Sequence, residues 1–197
     1  MKFKIFKFKR VTSTNDVAID LIKKKKGING FIYAESQNKG RGTHGKKWIS
    51  DIGNLFVSIF FPKKKNYPKS NDFYLINSAI VSSVIKEFCI NKKISFKRPN
   101  DILLNGKKVC GILQEVITLN KKKFLIVGVG INVISSPNIT NKYKATNILL
   151  ETKKRVNNKE LIFILYARYS KFFYNLSSLS FLDTKDITAM IDGGSLD

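Results

Sequence analysis

Histidine is almost missing from this chain of 197 residues: His44 stands alone. Cysteine is scarce as well. Cys89 and Cys110 sit in the apolar settings Phe88-Cys89-Ile90 and Val109-Cys110-Gly111, with no CxxC spacing. A Cys/His zinc site therefore lacks its donors. The two thiols read as buried and reduced, which fits the cytoplasm. No apolar run approaches the roughly 20 residues of a membrane span, so no membrane partner is expected. Residues 1–10 alternate Phe3, Ile5, Phe6 and Phe8 with lysines and offer no small-residue cleavage site. That pattern predicts a strand rather than a secretory signal. Acidic residues are few, 14 Asp and Glu against 36 Lys and Arg, for a formal net charge of +22. Such an excess fits an acidic partner, and it fits equally a lysine-rich composition that keeps a chain soluble. Because lysines run through every segment, none is functional on charge alone.

What is present is ample apolar material: 43% hydrophobic residues, with 15 Phe and 7 Tyr. The length predicts one main domain. Thr12 to Asp16 supply cap residues before Val17, Ala18, Leu21 and Ile22, an apolar stripe at helical spacing that should end at Gly27. Phe31–Ala34 reads as a short strand and Leu55–Phe61 as a buried one, stopped by Pro62. Phe73, Ile76, Ile80, Val84 and Phe88 give a second helix. Strands follow over 94–97, 101–104, 109–119 and 124–133, with Asn105-Gly106 as a type I′ hairpin turn. Gly128 and Gly130 interrupt the last strand, which suggests a bulge or the close approach of another group. Residues 135–147 read as loop and 161–176 as a long helix. The fold class is α+β, a mixed and mostly sequential sheet with helices packed on one side. The domain covers 1–176, and 177–197 form a short tail.

Three polar clusters stand at the mouths of these strands and turns. The first is Ser13-Thr14-Asn15, adequate as helix caps. The second is residues 37–48, Gln-Asn-Lys-Gly-Arg-Gly-Thr-His-Gly-Lys-Lys-Trp. Its glycines free the backbone to turn and to approach a ligand, its N–H groups and basic side chains suit an anion, and a surface linker would look the same. The third is Lys97-Arg98-Pro99-Asn100-Asp101 with Lys107-Lys108 beyond the hairpin turn, where Asn100 and Asp101 could simply cap a turn. Polar groups collected at strand ends are where such folds place their sites.

Ser13-Thr14-Asn15, GRGTHGKKW, KRPNDILLNGKKVCGILQE and GVGIN, in this order over residues 5–176, resemble the biotin protein ligases. The resemblance implies a two-step reaction. Biotin and ATP give biotinyl-5′-AMP and pyrophosphate, and a lysine of a biotin carboxyl carrier domain, of acetyl-CoA carboxylase or a related carboxylase, then displaces AMP. It implies ATP and Mg2+ alongside the substrate biotin, with magnesium held mainly by phosphate oxygens and water. It also implies the residue roles. Lys108, Arg41 and Asp101 would carry the chemistry, Arg41 as a planar fork on phosphate or carboxylate and Asp101 polarising the carrier lysine and supporting the metal indirectly. Ser13, Thr14, Asn15 and Gln37 would bind biotin, with Gly40, Gly42, Thr43 and Gly111 closing around it. Gly45, Trp48, Asn100 and Asn132 would bind the nucleotide, Trp48 by stacking near the adenine.

Three departures from the family pattern accompany the match. Thr43 replaces a loop arginine, which predicts a weaker hold on the adenylate. Arg98 replaces a tryptophan. Too few residues follow the last helix for the family's C-terminal β-barrel, so 177–197 would be its remnant. At the front, the first strand begins by residue 3, leaving no place for a DNA-reading helix-turn-helix, and no sequence-specific nucleic acid partner is expected. Open alternatives are a lipoate-type adenylating ligase, an inactive ligase remnant and a basic nucleic-acid-binding domain. An exposed strand beside the site could pair with a carrier or with a second copy as a homodimer.

Overall fold

The computed structural model describes residues 1–25, 28–138 and 144–178, with backbone alone for 177 and 178. Seven strands form one sheet: β1 (Lys4–Val11), β2 (Gly30–Gln37), β3 (Leu55–Pro62), β4 (Ile94–Lys97), β5 (Asp101–Leu104), β6 (Lys107–Leu119) and β7 (Lys122–Ile131). Their spatial order is β1-β2-β3-β7-β6-β5-β4. The β1–β2 pair is parallel, joined by helix α1 (Thr14–Lys23), and the other pairs are antiparallel. Helices α2 (Asp72–Phe88), α3 (Ile148–Thr152) and α4 (Asn158–Ser178) complete the chain. Among the described residues no helix is long and apolar enough to cross a membrane.

The α+β class and the mixed sheet agree with expectation, and the reason β3 reads as an unbroken apolar run is visible. Leu55, Val57, Ile59 and Phe61 face α2 and α4 in the larger core cluster, whereas Phe60 belongs to a second cluster on the opposite face. A central strand covered on both sides has little use for alternation. The expectation of helices on one side holds for α2 and α4. Helix α1 lies on the other face, where Ala18 and Ile22 meet Ile32, Phe60 and Ile126. Its amphipathic spacing shows that it buries one stripe, and says nothing about which side of the sheet receives it.

Two tight turns place the later strands. Asn105 and Gly106 both have positive φ (51° and 78°), as a type I′ turn requires. Asn120 and Lys121 repeat the pattern at 48° and 62°, so β6 and β7 form a long two-residue hairpin. Beyond β7, the Asn54 side chain accepts from three successive N–H groups, Val133, Ile134 and Ser135, at 2.9–3.2 Å. This ties the chain leaving the sheet back to the start of β3. Residues 144–147 are less loop-like than expected, since Ala145 bridges to Lys108 in parallel. They lead into α3, whose cap is the Asn147 side chain accepting from Leu150 N at 2.8 Å. Helix α1 stops at Lys23 with Lys24 as its C-cap, short of the expected end at Gly27. Gly27 itself lies outside the described residues, as do residues 179–197 and with them the expected remnant of a C-terminal domain.

In the core, the Tyr169 hydroxyl donates to Asn77 Oδ1 at 3.0 Å, and Asn77 Nδ2 donates to Gln114 Oε1 at 3.0 Å. These bonds satisfy polar groups that would otherwise be costly to bury. Cys89 and Cys110 are both free and buried. Burial pushes the Cys89 thiol up to about 11 and that of Cys110 further, so neither is a nucleophile at neutral pH.

Candidate active site

The face of the sheet that carries α1 is covered only in part. Strand alternation puts Gly111, Leu113 and Glu115 of β6 on this face, beside Ile126, Gly128, Gly130 and Asn132 at the same spacing from β7. Where the residues are glycine the sheet surface drops away. A cavity of about 340 Å³ opens there, within the range of roughly 300–1,000 Å³ usual for small-molecule sites.

All three polar clusters converge on it. Ser13, Thr14 and Asn15, at the start of α1, line one side with Gln37 at the end of β2. These residues hold one another: Thr14 N and Thr14 Oγ1 donate to Gln37 Oε1 at 2.8 and 3.2 Å. Ser58 of β3 donates to Asn15 Oδ1 at 2.5 Å, and its hydroxyl lies 2.7 Å from Thr14 Oγ1. Gln37 Nε2 donates to Ser50 Oγ at 2.9 Å, which fixes the far end of the glycine-rich loop.

That loop is a small hairpin. Gly42 N donates to Lys46 O at 2.7 Å, Trp48 N donates to Gly40 O at 2.8 Å, and Arg41 bridges to Lys47. His44 (φ 54°) and Gly45 (φ 71°) turn its tip, which is why glycine suits position 45. Arg41, Gly42 and Thr43 line the cavity, together with Lys46, Lys47 and Trp48. Gly40 and Gly45 do not appear on its wall. Gly40 packs instead on Trp48 O and Ser50 Oγ, each 2.5 Å from where a Cβ would stand.

Trp48 lies flat against the sheet. Gly111 and Gly130 are direct partners across β6 and β7. A Cβ on either would meet the indole, at 2.6 and 2.5 Å respectively. Gly111 thus makes room for Trp48. The indole Nε1 is buried without a hydrogen-bond partner, and the Lys108 ammonium stands 5.3 Å from the ring centroid. A cation at that distance from a tryptophan face is attracted by the ring quadrupole.

Lys108 Nζ lies 2.7 Å from Asp101 Oδ1. The contact is a charge pairing rather than a well-directed hydrogen bond. Asn100 exchanges bonds with Ile112, its N–H acceptor being Asn100 O at 2.9 Å and its carbonyl accepting from Asn100 Nδ2 at 3.1 Å. Asn132, 2% exposed, donates from Nδ2 to Thr146 O at 3.0 Å. Its amide therefore fixes the 144–147 segment as well as facing the cavity. Arg98 is exposed, beside a cis Arg98–Pro99 bond.

Arg41 differs most from expectation. Its fork is on protein carboxylates, Glu115 and Asp16, at 2.8 Å. Hydrogen bonding to Glu115 is the main cause holding its guanidinium above the ordinary arginine range, so it is charged at any working pH. Glu115, Asp16 and Ser58 are the site residues that sequence reasoning missed. Ser58 had a signal, a lone hydroxyl inside an apolar run. Glu115 had one too, at two-residue spacing from Gly111 and Leu113.

No three His, Cys, Asp or Glu side chains converge among the described residues, and the one acid on the cavity wall, Asp101, is paired with Lys108. This donor set does not fit a protein-ligated metal.

Behind the site, Glu151 of α3 accepts from Thr146 Oγ1 (2.7 Å), Asn105 Nδ2 (2.8 Å) and Lys107 Nζ (3.0 Å). Burial works against its charge, but these bonds and the Lys107 charge outweigh burial and hold the carboxyl at about 2, below its ordinary 4.5. A depressed carboxyl contributes stability that is present above pH 4.5 and is lost as pH falls towards 2. The thermal midpoint of Glu151→Gln should therefore fall less than that of the wild type between those two pH values, and start lower at pH 7.

A glycine-paved cavity at one end of a mixed sheet, rimmed by Lys108, Lys46 and Lys47, defines an α+β domain suited to an anionic ligand. The chain belongs to the Biotin/lipoate A/B protein ligase family, whose model matches residues 7–132. It is 31% identical over 125 residues to the bifunctional ligase/repressor BirA of Escherichia coli, covering 62% of this chain and 38% of that protein. With the biotin–[acetyl-CoA-carboxylase] ligase of Paracoccus denitrificans it shares 28% over 132 residues, 65% of this chain and 54% of that one. The chain thus spans about two fifths of the length of the BirA relatives. Among solved structures, the biotin protein ligase from Aquifex aeolicus in complex with biotin and ATP superposes with a TM-score of 0.77 at 30% identity, covering 95% of this chain and 76% of that one. The Leishmania major biotin protein ligase in complex with biotin gives 0.71 at 26% identity, covering 84% and 72%.

Proposed function

We propose that this chain is a biotin–protein ligase: it joins biotin to ATP as biotinyl-5′-AMP and passes the acyl group to a lysine of a biotin carboxyl carrier domain. The reading rests on one observation above the others, the Lys108 ammonium held by Asp101 on the wall of a cavity whose floor is glycine. In the first step a biotin carboxylate oxygen attacks the α-phosphorus of ATP and pyrophosphate leaves. Two anions must meet, and Lys108 supplies charge where negative charge concentrates, with Lys46 and Lys47 at the rim. Ser13, Thr14, Asn15 and Gln37 are the polar wall for the biotin head and chain. Asn100, Asn132 and Trp48 are the nucleotide side, and of the loop glycines Gly42 is the one whose backbone lies on the cavity wall beside both. Thr43, in place of an arginine, gives the adenylate one charge fewer.

In the second step the neutral amine of the carrier lysine attacks the acyl carbonyl and AMP departs. Asp101 is the group placed to hold that amine's proton. Magnesium, when carried in on ATP, neutralises phosphate charge. A cytoplasmic setting suits the two free thiols. The Paracoccus relative is named for acetyl-CoA carboxylase, which makes a carrier of that class the first partner to try.

The test is pyrophosphate release from ATP and magnesium with biotin or lipoate, followed by the mass of an added carrier domain. Biotin-dependent release and a single biotin adduct on the carrier lysine are expected. Release with lipoate alone, or none with either acid, overturns the reading.

A further inference from the structure

Arg41 points its chemistry in an unexpected direction. Nη1 donates to Glu115 Oε1, and Nη2 donates to both Glu115 Oε2 and Asp16 Oδ1, each at 2.8 Å. A bidentate carboxylate contact of this kind uses the forked end of the guanidinium. The remaining donor, Nε–H, is buried with no partner, and Arg41 lines the cavity. A buried donor left without a partner is destabilising, and an acceptor arriving in the cavity would satisfy it.

Glu115 is itself held in place. Asn15 Nδ2 donates to Glu115 Oε2 at 2.7 Å, and Asn15 Oδ1 accepts from Ser58 at 2.5 Å. The contacts run from β3 through α1 and β6 to the hairpin of residues 41–47. Two carboxylates against one guanidinium leave this cluster net negative, a poor place for a phosphate. The charge left for a phosphate is that of Lys108, with Lys46 and Lys47 on the strand of the hairpin that returns past Arg41.

We infer that Glu115 and Asp16 are positioning residues: they hold the fork of Arg41, pin the hairpin over the cavity, and leave Nε–H to receive one oxygen of the acyl substrate. This rests on the ligase reading for the identity of the substrate, and not for the pinning itself. Glu115→Gln keeps the size and one acceptor but loses the charge and the paired geometry. Asp16→Asn keeps an acceptor for Nη2 and removes only the charge of the second carboxylate. Glu87→Gln, on α2 and paired with Arg168, is the control.

Two readouts separate the claims. Without substrate, trypsin cleavage at Lys46-Lys47 and the emission of Trp48, the single tryptophan, report the hairpin. With substrate, pyrophosphate release gives KM and kcat for biotin. Glu115→Gln should be cleaved at least tenfold faster, shift Trp48 emission to the red, and raise KM at least tenfold with kcat within threefold. Asp16→Asn should move each the same way by less, and it carries the test if Glu115→Gln does not fold. Glu87→Gln should move none. Unchanged cleavage and emission in both site variants overturns the pinning, and a fall in kcat at constant KM overturns the positioning role. If the wild type releases no biotin-dependent pyrophosphate while cleavage and emission still respond, the ligase reading fails and the pinning stands.

Discussion

Lys108→Ala should lower biotin-dependent pyrophosphate release at least about a hundredfold in kcat/KM, the usual scale for removing one group that meets charge in a transition state. The fold should survive. Lys108 contributes to the sheet through its main chain, its N–H donating to Lys144 O at 3.0 Å and its carbonyl accepting from Thr146 N at 2.9 Å, and alanine keeps both bonds. What disappears is the ammonium, and the loss is doubled by what it leaves behind. Asp101, its side chain 20% exposed, would stand as an uncompensated carboxylate in a cavity that must admit a carboxylate and a phosphate. Removing one partner of a partly buried pair is costlier than removing both. Lys108→Ala with Asp101→Asn should therefore bind substrate better than Lys108→Ala alone, while its kcat for pyrophosphate release stays low. Far-UV circular dichroism and the two kinetic constants check this. Release within tenfold of wild type by Lys108→Ala would remove the central role from this lysine.

The parts of this molecule that the sequence disclosed are those governed by neighbouring residues. Asn105-Gly106 demands a hairpin because both residues take positive φ. Leu55–Phe61 demands a buried strand because every residue in it but Ser58 is apolar. The approach of another group to Gly128 and Gly130 could be expected from glycine inside a strand; that the approaching groups are Asn15 and Trp48 could not. Pairings between distant elements were hidden for the same reason, such as β3 with β7, or Arg41 with Glu115 across 74 residues. Helix α3 escaped because five residues carry no period to read and are stable only through Asn147 and the packing of Ile148. In the site, the three polar clusters could be picked out as candidates, and the fold brings them to one cavity. Which atoms they turn to it depends on Ser58, Asp16 and Glu115, which only the folded sheet brings beside them.

Gly130→Ala carries the second large effect, and it tests whether Trp48 is seated as described. Gly130 is not at positive φ, so alanine meets no backbone objection, only a steric one. Its Cβ would lie 2.5 Å from Trp48 Nε1 and Cε2, with Gly111 directly opposite and equally close to the same ring. An indole cannot bend out of the way as a lysine chain can, so it must lift from the sheet, away from its place beside Lys108. Overpacking of this kind costs about 1–3 kcal/mol. The expected results are a lower thermal midpoint, a red shift in tryptophan emission and at least a tenfold rise in KM for ATP. The decisive comparison is a double-mutant cycle. In a Trp48→Ala background the Gly130→Ala change should cost little stability, because the ring it displaces is gone. Gly45→Ala provides the contrast. It sits at φ +71° with nothing within 4 Å, so it strains the hairpin tip without touching the ring, and its effect should be the same with or without Trp48. Equal costs for Gly130→Ala in the two backgrounds would show that the glycine pair serves something other than the tryptophan.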